Sequence, residues 1–234
     1  MMNSIKDNLS TLTVYSGRPW LLEGTPEGLA PLFRGAPVET YPAGDEFFFG
    51  AEPALRLIEE GLVGTYASVP GLPEQMTVLF GQGSVLGAFK ALTHEARSTP
   101  LISRVLLPIR VRRVSEKAFL SFLDADAARS ARVFRSLLVQ HEQAMEGMLL
   151  NDLLPVEARL ARMIDTLFRA AGTALSEEPV VLPVPVTVQE LAGMVHADRA
   201  FVSRILSGWR AKGCFERNGR RLSFSSGIFE TKDF

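Results

Sequence analysis

Residues 187–224 read TVQELAGMVHADRAFVSRILSGWRAKGCFERNGRRLSF, and this stretch decides what the C-terminal part of the chain is. Thr187 and Glu190 have the spacing of a capping box, in which the hydroxyl accepts from the third helical N–H while the carboxylate reaches back. Leu191, Met194 and Val195 then recur at helical intervals, which predicts a first helix with one buried face. His196 and Ala197 form a turn, and Asp198 is a second N-cap whose charge suits the positive end of a helix dipole. In the second helix Val202, Ile205, Leu206 and Trp209 share one side. Arg199, Ala200, Ser203, Arg204 and Ser207 share the other. Such a helix can pack on one side and meet phosphates and base edges on the other.

Gly213 is placed to end this helix in a left-handed conformation. Asn218-Gly219 then predicts a two-residue hairpin turn with positive φ at both positions, and Phe215, Leu222 and Phe224 supply its buried side. Between Arg199 and Arg221 the basic residues are Arg199, Arg204, Arg210, Lys212, Arg217, Arg220 and Arg221, with Glu216 as the acid among them. The whole chain carries a formal charge of -1, so this positive charge is local. Two helices, a basic reading face and a basic hairpin point to double-stranded DNA as the partner. The bland alternative is a solvated helical hairpin, against which the caps, the wing and the charge count together.

These residues resemble the cyclic AMP receptor protein and FNR (Crp–Fnr) superfamily of bacterial transcription regulators. The family pattern T-x-x-E-[IL]-[AG]-x-x-[VL]-G-x-[ST]-R-x-x-V-[SG]-R-x-[IL] is met by Thr187, Glu190, Leu191, Ala192, Val195, Arg199, Val202, Ser203, Arg204 and Leu206. His196 stands where the family has its turn glycine, and Asp198 where it has serine or threonine. The resemblance implies an α+β chain: an N-terminal antiparallel β-roll of the cyclic-nucleotide-binding kind, a long dimerisation helix and a C-terminal winged helix-turn-helix. Arg199 and Arg204 match the family's two base- and phosphate-contacting arginines, and the DNA contacts expected in all are Thr187, Gln189, Arg199, Ala200, Phe201, Ser203, Arg204, Arg220 and Arg221. Where the family often reads bases with a glutamate, Ala200 offers a methyl group alone, so the half-site should differ from the usual family sequence.

The rest of the chain fits that outline. With 234 residues, 47% hydrophobic and 22% charged, it reads as soluble and globular, with room for one large or two modest domains. No apolar run approaches the roughly 20 residues of a membrane helix, and the N-terminus has no signal-peptide pattern, so no membrane and a cytoplasmic location are expected. One cysteine, Cys214, excludes an intrachain disulfide and any multi-cysteine metal site, so an iron–sulfur cluster is not expected. No paired carboxylates, nucleophile–base pattern, metal spacing or phosphate loop suggests an enzyme.

From about residue 38 to 113, short β-rich runs such as residues 75–80 lie between turn signals at residues 41–45, 60–63, 81–83 and 86–87, which predicts a small antiparallel barrel or sandwich. A helix over residues 124–150 follows. Phe134, Leu138, His141, Met145 and Met148 form a seam at alternating three- and four-residue steps, suited to helix pairing in a homodimer; packing on its own barrel is the alternative. Pro155 opens a further helix over residues 156–171, and residues 172–185 form a proline-containing connector whose apolar end, residues 180–184, can make a short strand. The domains expected are 1–123, 124–152 and 153–234. A two-fold dimer implies a near-palindromic operator with half-sites about one DNA turn apart, and the family implies RNA polymerase as a further partner.

The family's cyclic AMP pocket uses a Gly-Glu pair for the ribose, an Arg-Ser pair for the phosphate and a Thr-Ser pair on the dimer helix for the base. Gly87 is followed here by Ala88, Arg97-Ser98 keeps the phosphate pair, and Ala144-Met145 replaces Thr-Ser. Losing ribose and base partners removes several hydrogen bonds, so cyclic AMP is not the expected effector. The effector residues that remain are Gly87, Arg97, Ser98, His141, Ala144 and Met145. Met145, Met148 and His141, with the phenylalanines of residues 46–49, could instead line an apolar pocket. Haem is one candidate, with His94 and His141 as axial ligands, although no spacing motif supports it. A regulator without an effector is the other alternative.

Overall fold

The computed structural model describes residues 19–48, 54–93 and 101–229. His94, Arg97 and Ser98 lie outside them, as do the side chains of residues 47–49. The described chain divides into two compact units, Trp20–Gly147 and Met148–Phe229, with Pro19 assigned to the second.

The first unit is built on a seven-stranded sheet. Its strands are β1 (Leu21–Leu22), β2 (Val38–Tyr41), β3 (Glu46–Phe48), β4 (Ala54–Ala67), β5 (Gln75–Phe80), β6 (Val85–Leu86) and β7 (Leu101–Ser115). The order runs β1-β5-β4-β7-β2, with β3 also on β7 and β6 also on β4. All pairs are antiparallel, as expected of the roll, except β1 with β5, a two-residue parallel pair at its edge. Long strands β4 and β7 form the spine. Ile58, Val63, Leu86, Val105, Ile109 and Val111 turn inward into one apolar cluster.

The turn signal at Glu60-Gly61 is not a turn. β4 runs straight through it, and the register with β7 shifts on either side of Glu60. Gly61 has φ +94°, and a Cβ there would overlap the carbonyl oxygen of Pro108. This is a β-bulge, set where the partner strand carries a proline that has no N–H for the ladder. The signals at Gly44 and Gly83, both at positive φ, do mark turns.

Short α1 (Ala88–Thr93) follows β6. After β7 come α2 (Glu116–Asp124) and α3 (Ala127–Leu153). The long helix expected over about residues 124–150 therefore runs from Ala127 to Leu153, and a break at Ala125–Asp126 separates it from α2. Ser115 caps α2 by accepting from the N–H of Ala118 at 3.1 Å, and Asp126 caps α3 by accepting from that of Arg129 at 3.0 Å. The second cap competes with continuing the first helix, which explains the break. On α3, Val133 and Leu137 join Leu29, Phe33, Leu55, Ala88 and Phe119 in a second apolar cluster. Phe134, Leu138, His141 and Met145 are exposed instead. The roll is thus packed by residues beside the seam, not by the seam itself.

The second unit begins with the end of α3 and continues into α4 (Val156–Ala170), which Pro155 opens. Then come β8 (Val180–Val181), α5 (Val188–Met194), α6 (Arg199–Ala211), β9 (Phe215–Asn218) and β10 (Arg221–Phe224). The last three strands form a sheet in the order β8-β10-β9. The apolar end of the connector therefore pairs for two residues, Val180 and Val181, against the hairpin.

Candidate nucleic-acid interface

The helix-turn-helix follows from its caps. Thr187 accepts from the N–H of Glu190 at 3.2 Å, and the Glu190 carboxylate accepts from that of Thr187 at 2.6 Å. His196 turns the chain at φ +50°, a left-handed conformation costing a non-glycine residue about 1 kcal/mol. Asp198 accepts from the N–H of Ala200 at 2.7 Å and starts α6. Val202, Leu206 and Trp209 are buried on one side of α6, while Arg199, Ala200, Phe201, Ser203, Arg204 and Ser207 are exposed on the other. At the start of α5, Thr187 and Gln189 stand at the outer end of the same helix pair, with Thr187 exposed.

The wing is tied to the reading helix by aromatic contacts. Trp209 meets Phe224 edge-on at 6.4 Å between ring centroids, and Phe224 lies 5.1 Å from Phe215. Such pairs add to the burial of their area. The hairpin pairs Asn218 with Arg221, so its two-residue loop is Gly219-Arg220 and not Asn218-Gly219. Gly219 has φ +60° and Arg220 does not share the positive φ. Glycine at the first of two loop positions is the type II′ arrangement, equally matched to strand twist. Arg220 thereby occupies the tip of the wing and Arg221 its returning strand. Both are exposed.

Charge separates this surface from the roll. On the sheet the arginines are paired: Arg104 with Glu46 at 2.6 Å and Glu74 at 3.1 Å, Arg110 with Glu60 at 2.9 Å, Arg112 with Glu59 at 2.5 Å, and Arg56 with Glu39 at 3.7 Å. Among the described residues Arg199, Arg204, Arg220 and Arg221 have no acidic partner.

Two features escaped the sequence reading. The indole N–H of Trp209 donates to the Glu157 carboxylate on α4 at 2.6 Å. The guanidinium of Arg204 sits 5.1 Å from the centroid of the exposed Phe201 ring. The second was legible as an aromatic and an arginine three residues apart on a helix. The first joins residues 52 apart and left no local signal.

Of the candidate effector residues, Gly87 turns at φ +90° between β6 and α1, with Ala88 buried beside it. Ala144 is half-buried on α3, and His141 and Met145 are exposed there. Among the described residues no group of three or more His, Cys, Asp or Glu could hold a metal ion. Nor is any helix among them long and apolar enough to cross a membrane.

A buried-backed helix with a basic outer face, a capped partner helix and an arginine-tipped wing define a winged helix-turn-helix. Residues 158–225 match the family of Crp-like helix-turn-helix domains. No curated protein matches the chain by sequence. Similar solved structures include the c-di-GMP responsive global regulator CLP of Xanthomonas campestris, with TM-score 0.68 and 18% identity over 85% of this chain and 98% of that one. A CRP-family transcriptional regulator of Thermus thermophilus has TM-score 0.65 and 20% identity over 80% and 91%. FixK2 of Bradyrhizobium japonicum has TM-score 0.61 and 18% identity over 81% and 92%. The chain thus shares the fold of these proteins, and its residues 158–225 form a Crp-like helix-turn-helix domain.

Proposed function

We propose that the protein is a homodimeric, sequence-specific regulator of transcription that binds a near-palindromic operator and is gated by a small effector other than cyclic AMP. The observation that carries this reading is the set of arginines on α6 and the wing that have no acidic partner among the described residues, whereas the arginines of the sheet strands are paired. Arg204 reads a guanine edge, and Arg199 takes a phosphate or a guanine. Ala200 and Phe201 offer apolar contact and Ser203 a phosphate hydrogen bond. Thr187, Gln189, Arg220 and Arg221 hold the backbone and set affinity more than specificity.

The dimer reading is supported by the outer face of α3. Phe134 is 57% exposed, Leu138 45%, Met145 41% and Met148 42%. A second copy would cover this stripe, and its two-fold symmetry would match half-sites about 34 Å apart on the duplex. The domain limits that go with it are 1–123, 124–152 and 153–234. An effector without ribose is supported by Ala88, which is 2% exposed in an apolar cluster where the family's cyclic AMP pocket has its carboxylate. Cytoplasmic location and contact with RNA polymerase complete the reading.

Selection of bound duplexes from a random pool, followed by titration at several salt concentrations, tests it. A two-fold-related sequence is expected, and Arg204→Ala should lose about 1–3 kcal/mol of preference for it. Binding that varies with salt but hardly with sequence would overturn the reading in favour of a nonspecific DNA binder.

A further inference from the structure

We propose that Phe201 is a specificity-determining residue, which reads the 5-methyl group of a thymine and presets Arg204 for the guanine beside it. The proposal rests on the DNA-binding reading above and goes beyond it by naming the base pair step. Phe201 is the large apolar side chain that α6 leaves exposed, at 42%, while Val202, Leu206 and Trp209 are withdrawn. Its position is in the N-terminal half of the helix, the part that reaches base edges when such a helix enters the major groove. A single exposed phenylalanine needs no explanation by itself. Here, however, the ring is engaged. Arg204 lies three residues on, with its guanidinium carbon 5.1 Å from the ring centroid, within cation–π range.

That contact has two consequences. An arginine free of acidic partners would otherwise sample many rotamers, and ordering them costs affinity when DNA binds. Held within 5.1 Å of the Phe201 ring centroid, the Arg204 guanidinium still has its N–H donors available for a base edge. The ring itself presents carbon and no hydrogen-bonding atom, and the thymine methyl is the one apolar group in the major groove.

The test uses the full-length protein and the operator recovered by selection. Each thymine of a half-site is replaced in turn by deoxyuridine, which removes the methyl group and nothing else. At one position per half-site the replacement should weaken binding by about fourfold, the worth of one buried methyl. Phe201→Ala should bind thymine and deoxyuridine there equally. Phe201→Leu should keep the methyl discrimination but lose about threefold in preference for the adjacent guanine, because the π face has gone. Both variants should unfold at the wild-type temperature, since the ring is exposed. Undiminished discrimination in Phe201→Ala, or no deoxyuridine effect at any thymine, overturns the proposal while leaving the regulator reading intact. Full guanine preference in Phe201→Leu overturns the presetting of Arg204. Failure to recover any operator is a different result and removes the DNA reading itself.

Discussion

Nη1 of Arg159 donates to the carbonyl oxygen of Val195 at 2.9 Å. The same nitrogen donates to the carbonyl of Asn151 at 2.5 Å. Both acceptors are orphans of helix ends. Asn151 lies in the last turn of α3, and the residue whose N–H would have reached it is Pro155, which has none. Val195 is the C-cap of α5, the first helix of the DNA-binding pair. One cation thus closes two helix C-termini, where positive charge is favourable. Burial holds the guanidinium below its usual value, and Asp152 opposes that shift. Arg159→Met should destabilise the C-terminal unit by about 2–3 kcal/mol in urea unfolding, since two charge-assisted hydrogen bonds go. Arg159→Lys should recover part of that, as an ammonium lacks the planar fork. A methionine variant as stable as wild type would mean that water replaces the guanidinium.

Glu157 and Trp209 make the complementary link from α4 to α6. The Trp209 side chain is 1% exposed, so its N–H depends on the carboxylate. Glu157→Ala should cost about 1–3 kcal/mol by leaving a buried donor without an acceptor, and Glu157→Gln, which keeps an amide oxygen, should cost less. Unfolding followed by tryptophan fluorescence in a Trp20→Phe background reads Trp209 alone, because the chain has two tryptophans. Equal stability of the alanine and glutamine variants would show that the bond is not what holds α6.

Elements whose signal is local were legible in the sequence. The capping box at Thr187, the cap at Asp198, the β5 run over residues 75–80 and the helix opened by Pro155 all formed as their residues dictate. Elements decided by a partner were not. Asn218-Gly219 carries a strong turn signal, but the register of β10 against β9 moved the loop by one residue, because Phe215 opposite Phe224 fixes the buried pair. Likewise Glu60-Gly61 has the composition of a turn, and only the opposing Pro108 on β7 makes it a bulge. At the candidate site the arginines could be read from the sequence, whereas their freedom from acidic partners could not.

Gly61 therefore gives a sharp test. Alanine there would have to accept φ +94° and move the Pro108 carbonyl, a backbone atom that cannot swing aside. Strained backbone alone costs on the order of 1–3 kcal/mol, and the steric overlap adds to it, so Gly61→Ala should cost at least about 2 kcal/mol. Gly71→Ala is the control: it also has positive φ, but a Cβ there meets nothing within 4 Å. If both cost the same in thermal unfolding, conformation alone matters and the close approach to Pro108 does not.

The seam of α3 separates self-packing from dimerisation most directly. Met145 is exposed in the single chain, and the roll is packed instead by Val133 and Leu137. A charge at Met145 should then leave the fold of one chain untouched and act only on association. Met145→Asp is expected to sediment as a monomer at concentrations where wild type sediments as a dimer, and to lose most of its affinity for a two-fold operator. Leu137→Asp is the control on the packed side of the same helix, and should unfold the roll rather than split a dimer, because it buries an unpaired charge. A Met145→Asp protein that stays dimeric would place the interface elsewhere than on this stripe.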